Sequence, residues 1–298
     1  MARQESQHVV IRAAVRHAKT DARQQNEKFD VLNYESIFGK IYSIMLHTLP
    51  TLIKATVVNR PSKTIKSPYV ADIRLEDGTE AMCHTPGLGC CGLVSSGRII
   101  YVSKAANEKS KTAYTAQVSE CTDSEGAYNV GIHPMVSQMV ASKLLDKVCT
   151  GVTWKSEVVV SEHTRLDFVG TGSDGKKTYV EVKNAMISMS SDLRAKRRAV
   201  FPEGYRKSLT DTVSPRAVKH AETLAELVKL EDTSACYLVF IVPRNDCNGG
   251  LELNITDPIY CKAVTNAVAA GVKVRVFGLS FNTNGVIEFS KKLNFFIP

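Results

Sequence analysis

The segment TRLDFV at residues 164–169 is followed, after a polar loop, by YVEVK at residues 179–183. Apolar and polar residues alternate in both segments, which predicts two strands whose successive side chains point to opposite faces of a sheet. On this pattern Leu166 and Phe168 share one face and Asp167 lies on the other. The two segments therefore predict a hairpin with one apolar and one polar side.

The polar side of this hairpin carries two carboxylates and an ammonium group, from Asp167, Glu181 and Lys183. Magnesium and manganese prefer hard oxygen ligands, which Asp167, Glu181 and the backbone carbonyl of Val182 supply. Such a metal neutralises charge on a phosphodiester and activates water, and Lys183 would assist the attacking water. The residues thus predict a metal-dependent phosphodiesterase site with Mg²⁺ or Mn²⁺. A surface hairpin with solvated polar residues is the alternative.

The loop between the two strands decides whether the carboxylates meet. A two-residue turn at Asp174-Gly175 pairs Asp167 with Val182. In that register the side chains of Asp167 and Glu181 lie on opposite faces of the sheet. A three-residue loop (173–175) that ends in a left-handed glycine pairs Asp167 with Glu181 instead. A catalytic site therefore requires a loop of odd length or a bulge.

The composition indicates a soluble protein of two modest domains. The chain has 298 residues, and 38 Lys and Arg against 30 Asp and Glu give a formal net charge of +8. This excess favours an anionic partner, although a basic protein without such a partner is equally compatible with the charge. No apolar run is long enough for a membrane span, and the eight cysteines follow no disulfide framework. We expect an intracellular protein of the cytoplasm or nucleus, with the mitochondrion as the alternative.

The expected organisation is a helical extension at 1–47, a barrel at 48–122 and an α/β domain at 123–298. The barrel is predicted by five strand-like runs: Lys54–Val58, Tyr69–Leu75, Glu80–His84, Arg98–Ser103 and Ala113–Val118. Their spacing is typical of a small antiparallel, OB-like barrel. The later part alternates strands with helices, which predicts a mixed sheet. The fold class is therefore α+β or α/β.

Three helices are predicted in the later part: Ile132–Cys149, Pro215–Leu230 with Ser214 as its cap, and Tyr260–Ala270. The segment Arg194–Lys207 reads as a basic loop that either binds phosphate or is simply solvated. Its aromatic residues, Phe201 and Tyr205, would stack on bases or anchor the loop to the core.

Several ordered motifs between about Ala55 and Phe289 resemble those of the sugar fermentation stimulation protein (SfsA) family. The matching motifs are Lys111-Thr-Ala-Tyr114-Thr115, Thr164-Arg165-Leu-Asp167-Phe168, Tyr179-Val-Glu181-Val-Lys183, Phe201-Pro202 and Arg216 with Lys219-His220. The resemblance implies an OB-like domain followed by a domain similar to PD-(D/E)xK restriction endonucleases, and it implies DNA binding.

This resemblance assigns roles to particular residues. It identifies Asp167, Glu181 and Lys183 with the Asp, Glu and Lys of the nuclease motif, and Glu157 with an additional acidic position. The residues expected to contact nucleic acid are Arg165, Lys66, Arg197, Arg198, Arg216, Lys219 and His220.

The expected function is hydrolysis of DNA by an endonuclease or exonuclease, with RNA as an alternative substrate. A non-catalytic DNA-binding or regulatory protein on the same fold is the first rival. The second is a processing subunit that works only with a protein partner, and a homodimer is also open. No membrane partner is expected.

Overall fold

The computed structural model describes residues 44–87, 89–107, 109–162, 164–189, 193–204, 206, 208 and 210–298. The predicted N-terminal helix and Tyr205 lie outside the described residues. Residues Ile44–Pro298 form a single compact unit, which contains both predicted domains.

Seventeen strands and four α-helices are described, numbered here in chain order, together with a short 3-10 helix at Gly89–Gly92. The first seven strands are β1 Ile44–Thr48, β2 Ile53–Asn59, β3 Val70–Leu75, β4 Glu80–His84, β5 Ile99–Lys104, β6 Tyr114–Asp123 and β7 Gly126–Gly131. They are followed by α1 Pro134–Ser142, α2 Leu145–Val148, β8 Val152–Ser161, β9 Thr164–Gly172, β10 Lys177–Asn184, β11 Ile187–Ser188 and β12 Arg198–Phe201. The remainder are α3 Pro215–Leu227, β13 Thr233–Val242, β14 Gly250–Leu253, α4 Pro258–Ala269, β15 Lys273–Phe281, β16 Val286–Lys292 and β17 Phe295–Phe296.

A seven-stranded mixed sheet forms the centre of the fold, in the order β1-β16-β15-β13-β10-β9-β8. Strands β10, β13 and β15 run parallel, and the outer pairs are antiparallel. The residues of β13 alternate between two hydrophobic clusters, with Tyr237 and Val239 in one and Leu238 and Phe240 in the other. A strand that is apolar on both sides is typical of a sheet covered on both faces.

Helices cover both faces of this sheet. Helices α1 and α2 contribute to one cluster, and α3 and α4 to the other. The predicted cap is present, because the Ser214 side chain accepts a hydrogen bond from the Ala217 N–H. The predicted single helix over 132–149 is instead two helices. The break falls at Leu144 and Leu145, which are both buried.

The N-terminal strands form a second sheet in the order β4-β3-β2-β5-β6-β7. A short parallel pairing of Cys83 with Tyr114 and His84 with Thr115 joins β4 to β6 and closes five strands into a ring. All five predicted strands are present, and Gly78 in the turn between β3 and β4 has a positive φ of 85°. Strand β7 was not predicted. The molecule is thus a mixed α+β protein with few helices.

Two segments differ from their predicted structure. Residues Ile44–Thr48, partly assigned to the helical extension, form β1 and pair with β16 at the sheet edge. The predicted basic loop contains β12, which joins a four-stranded sheet of order β11-β12-β14-β17. Within the described part of the chain, no helix is long and apolar enough to cross a membrane.

Candidate active site

The hairpin of β9 and β10 has the register that a catalytic site requires. Gly172 donates its N–H to the Lys176 carbonyl at 2.9 Å, which leaves a three-residue loop that ends at Gly175 with φ 79°. Val180 pairs with Phe168, so Asp167 stands opposite Glu181 at the next position. The prediction of a loop of odd length is confirmed.

The pleat of β9 is interrupted at Asp167. Leu166 and Phe168 belong to clusters on opposite faces of the sheet, so the prediction that they share a face is wrong. The ladder between β8 and β9 omits the pair Glu157–Asp167, and Glu157 has a φ of 54°. This positive φ bends β8 at the point where Asp167 enters the site.

The Asp167 carboxylate fills the gap that opens between β9 and β10. Its Oδ2 accepts the Val182 N–H at 2.7 Å, and its Oδ1 accepts the Gln138 amide of α1 at 2.9 Å. The same Gln138 nitrogen also contacts Glu157 Oε1. Burial and the charge of Glu181 raise the pKa of Asp167 to about 6. The raised pKa indicates that the carboxylates of Asp167 and Glu181 repel each other where little water reaches them.

Glu181 is buried, with 3% of its surface exposed. Its Oε1 accepts from Lys183 Nζ at 2.5 Å and contacts His220 Nδ1. Burial alone would raise the pKa of Glu181, but the hydrogen bonds and charges of His220 and Lys183 outweigh burial and lower it. Its Oε2 is buried without a hydrogen-bond partner, whereas buried carboxylate oxygens ordinarily have one.

These residues fit a divalent cation. Two buried carboxylates that repel each other, one with an unpartnered oxygen, form an oxygen-rich place that a cation would stabilise. The N–H and C=O of one strand residue point to the same side, so the Val182 carbonyl also faces Asp167. No group of three His, Cys, Asp or Glu side chains in the described segments is arranged as a metal site. Magnesium, however, commonly uses only one or two carboxylates together with water and phosphate oxygens.

The family model described as "Sugar fermentation stimulation protein RE domain" matches residues 132–285, which include this whole site. A sugar fermentation stimulation protein homolog from Synechococcus elongatus is 30% identical over 247 residues, covering 81% of this chain and 94% of the relative. The chain belongs to the sugar fermentation stimulation protein family. The predicted family resemblance is confirmed.

Other SfsA proteins extend the comparison. A homolog from a Cyanothece strain is 31% identical over 235 residues, covering 77% of this chain and 89% of the relative. The structure of Pyrococcus furiosus SfsA in complex with Ca²⁺ matches with a TM-score of 0.67 and 22% identity, covering 85% of this chain and all of that one. The fold is therefore that of SfsA.

The basic residues of α3 and β9 surround this SfsA site. Arg165 is exposed and pairs with Glu157 at 2.8 Å, and Arg216 is exposed and donates to His220 Nε2 at 3.4 Å. Lys219 is also exposed on α3. His220 was predicted to contact nucleic acid, but only 4% of its surface is exposed. Its Nδ1 contacts Glu181, so His220 helps to hold this carboxylate in place.

Three arginines of the predicted basic loop, Arg194, Arg197 and Arg198, form ion pairs within the protein. Arg197, which was predicted to contact nucleic acid, is 6% exposed and binds Asp123 at 2.7 Å and Asp246 at 2.5 Å, so its charge is paired inside the protein. Arg198 pairs with Glu252 at 2.8 Å. Its guanidinium also stacks on Phe296, which leaves it little freedom to reach a phosphate.

Two further predicted contacts lie away from this hairpin. Lys66 is exposed in the loop between β2 and β3 of the ring-shaped sheet. Phe201 packs edge-on against Phe240 and Tyr260, with ring centroids 5.4 and 5.3 Å apart, which agrees with the alternative that it anchors its segment to the core.

Gln138 is the residue of the site that the sequence did not reveal. It lies on α1, 29 residues before Asp167, and bridges two carboxylates through one amide nitrogen. The available signal was weak, consisting of one amide side chain between Met135 and Met139 on a helix without charges.

Replacement of Asp167 by asparagine is expected to stabilise the metal-free protein at pH 8. A pKa raised to about 6 means that the ionised carboxylate opposes folding above that pH, and the neutral amide removes this cost. We expect a gain of about 1–3 kcal/mol at pH 8 that disappears near pH 4, measured by urea unfolding in EDTA. An equal change at both pH values would show that the charge of Asp167 is not responsible.

Proposed function

We propose that this SfsA protein is a divalent-metal-dependent nuclease that hydrolyses phosphodiester bonds of DNA. The observation that carries the proposal is the contact of the Asp167 carboxylate with the Val182 N–H of β10, between Glu181 and Lys183, with the Glu181 Oε2 atom buried and unpartnered. Buried carboxylates without a partner are costly, and function is the usual reason that such a group persists.

Each side chain has a definite task in this proposal. Asp167, Glu181 and the Val182 carbonyl would hold Mg²⁺ or Mn²⁺, and the contacts from Gln138, Lys183 and His220 fix the two carboxylates. The cation would neutralise developing charge on the phosphodiester and acidify water. The Lys183 ammonium would orient the attacking water and stabilise charge on the phosphate oxygens as the bond to the leaving sugar oxygen breaks.

The ring-shaped sheet is inferred to be an OB-like barrel that helps to bind the substrate. Five strands closed by one pairing between β4 and β6 are consistent with such a barrel. The exposed Lys66 in the loop between its first two strands would contact phosphate there. DNA is the proposed substrate, and RNA is a second substrate to be tested.

Cleavage of labelled single-stranded DNA, duplex DNA and RNA in Mg²⁺ or Mn²⁺ tests the proposal. We expect metal-dependent cutting that falls by a factor of about 100 or more in Lys183→Ala, because general catalysis typically contributes that much. Lys262→Ala, which changes an exposed lysine of α4, is the control and should cut normally. If nucleic acid binds but no substrate is cut with either metal, the chain is a binding protein on a nuclease-like fold.

Gln138→Ala is expected to weaken the affinity of the active site for its metal ion by a factor of about 10 to 100. Groups that orient metal ligands usually have effects of this size, and Gln138 is the side chain that holds both Asp167 and Glu157. The measurement is the Mn²⁺ concentration for half-maximal cleavage. Ser142→Ala, one turn further along α1, should leave it unchanged. A change in the maximal rate of cleavage with an unchanged half-maximal Mn²⁺ concentration would contradict a role of Gln138 in metal binding.

A further inference from the structure

An apolar stripe runs along the solvent side of α1, next to Asp167. Met135 and Met139 are 64% and 38% exposed, and they lie one turn apart, so they share a face. The opposite side of the helix, with Val136 and Val140, is buried in the core. Neither the first nor the last turn of α1 carries a charge, whereas a surface helix normally has charged residues on its outer face.

The stripe forms one wall of a cleft of about 560 Å³. The same cleft is also lined by Arg165, Arg216 and Asp167, and by Glu157, which pairs with Arg165 at 2.8 Å. The cleft therefore combines apolar side chains, two guanidinium groups and a candidate metal ligand. A cavity of this size suits one small organic molecule, and thus one or two nucleotides, but not a duplex.

We propose that this cleft binds unpaired nucleotides of a DNA single strand, which makes single-stranded DNA the preferred substrate. This proposal rests on the proposed nuclease function. The bases would lie against Met135 and Met139, while Arg165 and Arg216 hold the phosphates beside Asp167. Methionine suits this task because its flexible, polarisable thioether adapts to any aromatic ring, and the bases of a duplex are stacked away from such contact.

The test is the affinity of the full chain for DNA in EDTA, where nothing is cut and the result is independent of catalysis. The probes are a fluorescein-labelled 12-nucleotide single strand of mixed sequence and a G·C-rich 20-base-pair duplex. We expect the double variant Met135→Gln/Met139→Gln to bind the single strand about tenfold more weakly and the duplex within twofold of the unmodified chain. The salt dependence should not change, because no charge is removed.

The control is Met45→Gln/Met189→Gln, which changes two other exposed methionines, one of them on β1 at the opposite edge of the seven-stranded sheet. It should bind both probes normally. Unchanged single-strand affinity in the α1 variant, or an equal loss for both probes, would overturn the proposal. So would an α1 variant whose only change is dissociation of a dimer in sedimentation, because the stripe would then contact a second copy. Failure of the nuclease proposal would appear separately, as absence of metal-dependent cleavage.

Discussion

Replacement of Glu181 by glutamine is expected to reduce metal-dependent cleavage by a factor of about 1000 or more. Glutamine preserves the volume of this buried side chain but removes the charge that would hold the cation, and such charge stabilisation contributes several kcal/mol. The measurement is single-turnover cleavage of a labelled single strand at saturating Mn²⁺. The residual rate should not recover with more metal.

The matched control for this variant is Glu222→Gln, an exposed glutamate on α3 near His220 in sequence. It should cut within twofold of the unmodified chain, and both variants should bind DNA in EDTA. A Glu181→Gln variant that cuts within tenfold of the unmodified chain would remove Glu181 from the active site.

The second large effect concerns stability, and it comes from the ionic cluster around Asp246. Asp246 has no exposed surface and binds Arg244 at 2.6 Å and Arg197 at 2.5 Å. Asp246→Ala would leave two buried guanidinium groups without this partner. Breaking a buried pair in this way typically costs about 3–5 kcal/mol, which urea unfolding at pH 7 would measure.

Glu80→Ala is the matched control, because its pair with Arg74 is exposed on both sides. We expect it to cost less than about 1 kcal/mol. Burial opposes ionisation of Asp246, but the hydrogen bonds and charges of Arg244 and Arg197 lower its pKa. Its stabilising contribution is therefore present at neutral pH and lost as the pH falls through this lowered pKa. A cost below 1 kcal/mol for Asp246→Ala at pH 7 would mean that the cluster does not stabilise the fold.

The central elements of the fold and the site follow from local sequence patterns. The two strands β9 and β10 were predicted from their alternation, but their sequence allowed two loops, and only the catalytic hypothesis favoured the three-residue loop that ends at Gly175. The Ser214 cap followed from the sequence because a cap depends on residues only three positions apart. Such features are local, so the neighbouring residues determine them.

Features that depend on distant residues were not predictable in this way. The sequence suggested that the Arg197 side chain is available for phosphate, but it forms an ion pair with Asp246, which lies 49 residues away in the sequence. The role of His220 depends on a contact with Glu181, 39 residues before it, and that of Gln138 on contacts across two elements. The separation of Leu166 from Phe168 depends on the left-handed Glu157 of the neighbouring strand.

The most direct test of a cation held between Asp167 and Glu181 is the anomalous scattering of a crystal soaked in Mn²⁺. We predict a manganese peak in contact with the Asp167 carboxylate and Glu181 Oε2, and its loss in crystals of Glu181→Gln. A well-ordered site without a peak, at Mn²⁺ concentrations that support maximal cleavage, would contradict a metal centre at this hairpin.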